Sequence, residues 1–183
     1  MIFEEKEIKG VFLIKPTIYK DSRGFFFESY SKKEFEKVGI KDEFVQDNIS
    51  SSSYGVVRGL HFQKGEFAQS KLIRVLKGKV LDVIVDLRKN SPTFGQYVAE
   101  ELSEENNYQL YVPRGFAHGF SVLSEQAVFT YKCDNFYNKE SEGGVYFADK
   151  DLGIDWKVPE DKWIISDKDK LWKGINDASS YRF

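Results

Sequence analysis

Residues 72–87, LIRVLKGKVLDVIVDL, constrain the fold more than any other part of the chain. Two runs rich in Val, Ile and Leu flank Lys77-Gly78, and both are apolar almost without interruption. A strand with one wet face alternates between apolar and polar residues, so a continuous run implies that both faces are covered. The pattern predicts a hairpin of two strands about Lys77-Gly78 at the centre of a β structure. Asp82 and Asp86 interrupt the apolar run and exclude it as a membrane span.

Strand-like runs recur along the rest of the chain. Residues 8–19 read as a strand or strand pair broken at Pro16, and residues 24–30 as a strand carrying Phe25, Phe26 and Phe27 after a turn at 21–24. In FVQDNISSSSYG the polar trio Gln46, Asp47 and Asn48 interrupts a strand ahead of a serine-rich loop. GVVRGLHFQ, GQYVAEEL, YQLYVPRGFAHGFSVL and QAVFTYKCDNFY supply further strands between turn residues. One short helix is expected over KKEFEKVGI, where Phe35, Val38 and Ile40 form an apolar side and Ser31 with Glu34 matches a capping box. Beyond Tyr137 the texture becomes charged and turn-rich, which suits loops and short elements laid over a β core, ending in a polar tail at 177–183. Many short strands with one helix, in a chain with 16% aromatic residues, predict an all-β closed barrel or two-sheet jelly roll. At 183 residues this is a single domain, 1–183.

A net charge of -2 gives no broad attraction to nucleic acid, so none is expected as a partner. The amino terminus is charged from Glu4 onward and does not read as a secretory signal; with no apolar span, the chain reads as cytoplasmic with no membrane partner. Cys133 is the only cysteine, which excludes an internal disulfide and a multi-thiolate metal site. The two histidines, His61 and His118, show no H-x-H spacing, and both are read as metal-free.

Arg58, His61 and Lys71 bring a cation, a base and a second cation into what reads as one hairpin. Strict alternation along GVVRGLHFQ places His61 with Val57, Gly59 and Gln63, and Arg58 on the opposite face with Leu60 and Phe62. Gly59 suggests a bulge or a close approach to the backbone. His118 follows the Pro113-Arg114-Gly115 turn, with Gly119 beyond it. Tyr131 and Tyr137 are six residues apart and share a face if their strand is unbroken. Taken singly, these residues also suit a satisfied core histidine, packed tyrosines and solvated charges. Together they reach as far as a β-barrel with a pocket for an anionic ligand.

DSRGFFFESY, FVQDNISSSSYGVVRGLHFQ, QSKLIRVLKGKVLDVIVDLR, SPTFGQYVAEELSEENNYQLYVPRGFAHGF, TYKCDNFYNKESEGGV and ISDKDK occur in this order. In this, residues 6–169 resemble the dTDP-4-dehydrorhamnose 3,5-epimerase family. The resemblance implies a cupin-type jelly roll that works without metal or coenzyme, as a homodimer. The implied reaction inverts C3 and C5 of dTDP-4-dehydro-6-deoxy-D-glucose to give dTDP-4-dehydro-L-rhamnose. His61 would be the proton acceptor, oriented by Asp169; Lys71 would hold the C4 oxygen, and Tyr131 would be the proton donor. Arg23, Glu28, Gln46, Asp47, Asn48, Arg58, His118, Glu142 and Lys168 would hold the nucleotide-sugar. Tyr137 and one of Phe25, Phe26 and Phe27, taken as Phe26, would sandwich the thymine, with the phenylalanine coming from the partner subunit.

The chemistry suits these residue types. A C4 ketone acidifies the protons on C3 and C5, so a base on one face, an acid on the other and a cation at the oxygen suffice for inversion through an enolate. Imidazole is the natural base near neutral pH, and guanidinium groups bind diphosphate oxygens in pairs. A single-position epimerase of a related sugar, a non-catalytic sugar-binding barrel and a metal-dependent oxygenase of the same fold are the competing readings.

Overall fold

The computed structural model describes residues 1–177, so the expected tail lies outside the described residues beyond Asp177. In chain order the elements are β1 (Ile2–Glu5), β2 (Phe12–Lys15), β3 (Tyr19–Asp21), β4 (Gly24–Phe26), α1 (Lys32–Lys37), β5 (Gln46–Ser53), β6 (Val57–Gln63), β7 (Lys71–Lys77), β8 (Lys79–Asp86), β9 (Tyr97–Ser103), β10 (Gln109–Val112), β11 (Phe116–Val122), β12 (Gln126–Cys133) and β13 (Glu142–Gly144). One sheet has the order β1-β2-β10-β7-β12-β5 and the other β13-β6-β11-β8-β9, while β3 and β4 form a separate ribbon. Pairing between these strands is antiparallel, and the two sheets face each other as a cupin-type jelly roll, as the sequence implied.

The covered faces of β8 are explained by two apolar layers. Val80 and Ile84 point between the sheets, where they pack with residues such as Val75, Phe120 and Phe129. Leu81, Val83 and Val85 point the other way, onto Val145, Phe147 and Trp156 of the later chain. That second layer hides the outer face of the five-stranded sheet and accounts for the unbroken apolar run. Asp82 has the same parity as Val80 and Ile84, so the period of two aims it into the barrel.

Several expectations are corrected. β7 and β8 are not a hairpin: they belong to different sheets, and Gly78, at φ +76°, turns the chain at the corner between them. A Cβ there would meet Gln126 O at 2.0 Å, so only glycine fits the corner. Arg58 and His61 are likewise on β6, in the sheet opposite Lys71 of β7. The serine-rich stretch is a strand rather than a loop, because β5 is an edge strand paired along its length with β12, and an edge accepts polar residues. β1 was not foreseen in IFEE, and β4 stops at Phe26 rather than continuing to Tyr30. The helix forms where expected, but Ser31 makes no side-chain cap; Glu34 instead pairs with Lys37 at 2.7 Å. No helix among the described residues is long and apolar enough to cross a membrane.

Candidate active site

A cavity of about 730 Å³ opens between the two sheets, and His61, Lys71, His118, Tyr131 and Asp169 all line it. His61 reaches it through a bulge. His61 pairs with His118 and Arg58 with Phe120, so Gly59 and Leu60 together oppose the single residue Gly119. The extra residue breaks the alternation, and Arg58 and His61 line the same cavity instead of pointing to opposite faces. Gly59 makes this approach possible: its φ is +129°, and a Cβ would lie 2.5 Å from Gly119 Cα.

Asp169 belongs to a short 3-10 turn, Asp169–Leu171, outside the strands. Ile164 holds the preceding segment to the barrel: its N–H donates to Gly55 O at 2.9 Å, and Val57 N–H donates to its carbonyl at 3.1 Å. The charge run of the sequence thereby splits. Asp167 is 99% exposed, whereas Asp169 is buried with Oδ1 2.6 Å from His61 Nε2. Its Oδ2 also accepts from Gly59 N–H at 3.4 Å. Burial pushes the Asp169 carboxyl up, but the hydrogen bonds from His61, Gly59 and Ser166 outweigh it and hold the group below the ordinary carboxylate range.

Across the cavity, Lys71 begins β7 and its Nζ lies 5.6 Å from the centre of the Tyr131 ring. Burial pushes the Lys71 amine down and the Tyr131 phenol up to about 12. Tyr131 therefore carries its proton at neutral pH. His118, which the turn preceding it could have left exposed, is buried on β11 with Nε2 2.9 Å from Asp82 Oδ2.

Around the mouth, Arg58 Nε donates to Ser52 Oγ at 3.2 Å, Lys168 pairs with Glu142 at 2.5 Å, and the Tyr137 hydroxyl lies 3.5 Å from the same carboxylate. β12 ends at Cys133, yet Tyr137 still lines the cavity with Tyr131, Asn48, Arg58, Glu142 and Lys168. Gln46 stands behind this rim, accepting from Tyr137 N–H at 3.2 Å and donating to Asn48 Oδ1 at 3.0 Å. Five expected ligand residues do not line the cavity of the single chain: Gln46 behind its rim, and four others. Asp47 is exposed and pairs with Lys132 at 2.9 Å, Arg23 is 88% exposed beside Asp21, Phe26 is 70% exposed on the β3–β4 ribbon, and Glu28 does not line the cavity. Asp82 is the site residue that sequence reasoning missed. Its signal was present: a carboxylate inside an apolar run must be buried with a partner or disrupt the strand.

A jelly roll whose central cavity gathers a histidine–carboxylate pair, an amine and a protonated phenol holds the groups that define a class of acid–base catalysts, with no need for a nucleophile. Residues 5–177 match the family model described as dTDP-4-dehydrorhamnose 3,5-epimerase. The chain is 52% identical over 176 residues to the Shigella flexneri dTDP-4-dehydrorhamnose 3,5-epimerase, covering 96% of each protein. The crystal structure of the corresponding enzyme from Elizabethkingia anophelis is 58% identical and superposes with a TM-score of 0.94 over 98% of both chains. The Legionella pneumophila 3,5-epimerase in complex with dTDP-4-keto-L-rhamnose is 46% identical with a TM-score of 0.94, covering 100% of this chain and 98% of the other. This chain belongs to the dTDP-4-dehydrorhamnose 3,5-epimerase family.

Proposed function

We propose that the protein inverts C3 and C5 of dTDP-4-dehydro-6-deoxy-D-glucose, giving dTDP-4-dehydro-L-rhamnose, by two rounds of proton removal and return. The observation that carries the reading is the His61–Asp169 pair at 2.6 Å in one cavity with Lys71 and Tyr131. His61 takes the proton from C3 or C5, and the Asp169 carboxylate behind it stabilises the imidazolium that forms. The electron pair moves onto the C4 oxygen, where the Lys71 amine offsets the charge of the enolate. Tyr131 returns a proton from the other face and inverts the carbon. His61 then loses its proton and Tyr131 regains one through solvent, so each round is balanced and consumes no cofactor.

Arg58, Asn48, His118, Glu142 and Lys168 bind the nucleotide-sugar in this reading, with Gln46 behind Asn48 and Tyr137 stacked on the base. Arg23, Phe26, Glu28 and Asp47 serve through a homodimer in which the β3–β4 ribbon of one subunit completes the site of the other. Phe25 and Phe26, 60% and 70% exposed, are apolar surface that such an interface would cover. The enzyme works without metal, and the Nε2 of each histidine is already engaged by a carboxylate. A cytoplasmic site of action suits a buried free cysteine.

Incubation with dTDP-4-dehydro-6-deoxy-D-glucose in deuterium oxide, followed by NMR of the product, tests the reading. Deuterium at both C3 and C5 with inversion at both is expected, and it should persist after exhaustive chelation. Deuterium at one carbon alone indicates a single-position epimerase, and binding without exchange a sugar-binding barrel; either result overturns the double epimerisation.

A further inference from the structure

We propose that Asp82 is a positioning residue that locks His118 in the tautomer with its proton on Nε2, so that Nδ1 meets the ligand as a hydrogen-bond acceptor for a sugar hydroxyl. The inference rests on the epimerase reading for the nature of the ligand. The geometry comes from three adjacent strands. β6, β11 and β8 lie side by side, with His61 opposite His118 and His118 opposite Ile84, two residues from Asp82. The two histidines are thus register partners on neighbouring strands, each with Nε2 against a buried carboxylate.

The two pairs differ in what surrounds them. The His61 side chain is 29% exposed, and the Asp169 carboxylate also accepts from Gly59 N–H besides meeting the ring. The side chains of His118 and Asp82 are 7% and 0% exposed, and Asp82 Oδ1 has no hydrogen-bond partner among the described residues. A buried carboxylate with one oxygen unpartnered is costly, so its remaining bond to His118 bears on where the ring proton sits.

Burial pushes His118 down and Asp82 up, and each opposes the effect on the other. The charged and titratable groups acting on His118 are Asp82, Lys71 and His61. Lys71 disfavours a second cation on the imidazole and favours the ionised Asp82. The geometry decides the ring proton: with Asp82 Oδ2 as a carboxylate acceptor 2.9 Å from Nε2, and with burial disfavouring the imidazolium, a neutral His118 donates its Nε2–H to Asp82. Nε2 is then occupied, and Nδ1 can only accept. His118 is in consequence a reader of a hydroxyl rather than a second base or a donor to the enolate oxygen, and the cavity has one acid–base histidine and one binding histidine.

The test uses imidazole ¹⁵N NMR of the whole protein, in which two histidines give a simple spectrum. His61→Asn assigns the His118 signals by difference. At pH 7.5 without ligand, His118 should show a protonated Nε2 and a pyridine-like Nδ1. A protonated Nδ1, whether in the other tautomer or in the imidazolium, overturns the inference. Asp82→Asn removes the charge while keeping the shape; an asparagine in the corresponding place of the serine-protease triad preserves geometry and gives the wrong tautomer. In this variant the His118 signals should shift toward a mixture of tautomers, and KM should rise about tenfold with kcat changed less than about threefold. An unchanged spectrum with unchanged KM overturns the inference, and if the variant fails to fold the wild-type spectrum decides alone. The spectrum of the resting protein requires no substrate, so its outcome is independent of whether deuterium enters C3 and C5.

Discussion

Replacing Asp169 with Asn isolates the contribution of charge behind the base. The side chains are nearly isosteric, and Asp169 is 2% exposed, so the ring of His61 should keep its place while the partner 2.6 Å from Nε2 becomes neutral. The loss is felt when His61 takes the substrate proton and becomes an imidazolium. With that N···O distance, the centres of the two charges are about 4 Å apart, and an effective dielectric of about 20 gives roughly 4 kcal/mol of attraction. The 29% exposure of His61 makes the screened value the appropriate one. Four kcal/mol corresponds to a fall in kcat of about a thousandfold. KM should change less than about threefold, since the Asp169 oxygens are committed to His61 and Gly59 rather than to ligand. Deuterium wash-in at C3 and C5, followed by NMR, should fall together because one base serves both carbons. The folded pKa of Asp169 lies below its unfolded value, so its ionised form stabilises the fold above the unfolded pKa and ceases to do so as pH falls through the folded one. The stability deficit of the variant should accordingly be present at pH 7 and shrink in acid. A kcat within tenfold of wild type, or exchange surviving at one carbon alone, would refute the argument.

Tyr131→Phe should leave proton removal intact and slow delivery to the opposite face, so deuterium should return to unreacted substrate faster than inverted product accumulates; a wild-type ratio of exchange to product removes Tyr131 as donor. Asp86 is fully buried, and although burial pushes its carboxyl up, bonds from Arg88, Ser91 and Thr93 hold it at about 2 against an ordinary 3.8, which amounts to about 2 kcal/mol of stability above pH 4. That stability is lost as pH falls toward 2, so in urea titrations the gap between wild type and Asp86→Asn should narrow between pH 5 and pH 2; a gap independent of pH counts against the linkage. Gly59→Ala forces a Cβ to 2.5 Å from Gly119 Cα at a φ of +129° and should cost about 3 kcal/mol together with most activity, and a loss below about 1 kcal/mol in chemical denaturation would contradict the close-packed bulge.

The content of strands was legible because period-two and continuous apolar patterns depend on local sequence. The run at 72–87 did contain two strands meeting at Gly78, and Gly59 did mark a bulge. Which strands pair was not legible. β7 and β8 look like a hairpin because a tight turn joins them, but β7 pairs with β10 and β12 whereas β8 pairs with β9 and β11, partners distant in the sequence, and this puts the two in different sheets. A run of serines reads as a loop until β12 is alongside to pair with it.

The same division holds at the site. The residue types needed for a proton-transfer cavity stood in the sequence, and an ordered set of motifs pointed to one family. The family resemblance already set Asp169 behind His61, 108 positions away; the tertiary structure brought the two within 2.6 Å, buried that one carboxylate of a charge run while leaving Asp167 in water, and turned Arg58 onto the face of His61. Asp82 shows the reason most plainly. In the sequence it is an interruption of an apolar strand, and its meaning comes from His118, 36 positions away on the neighbouring strand. Local sequence determines which backbone conformations are favourable, whereas the charge state and partner of a buried group depend on what long-range packing places against it.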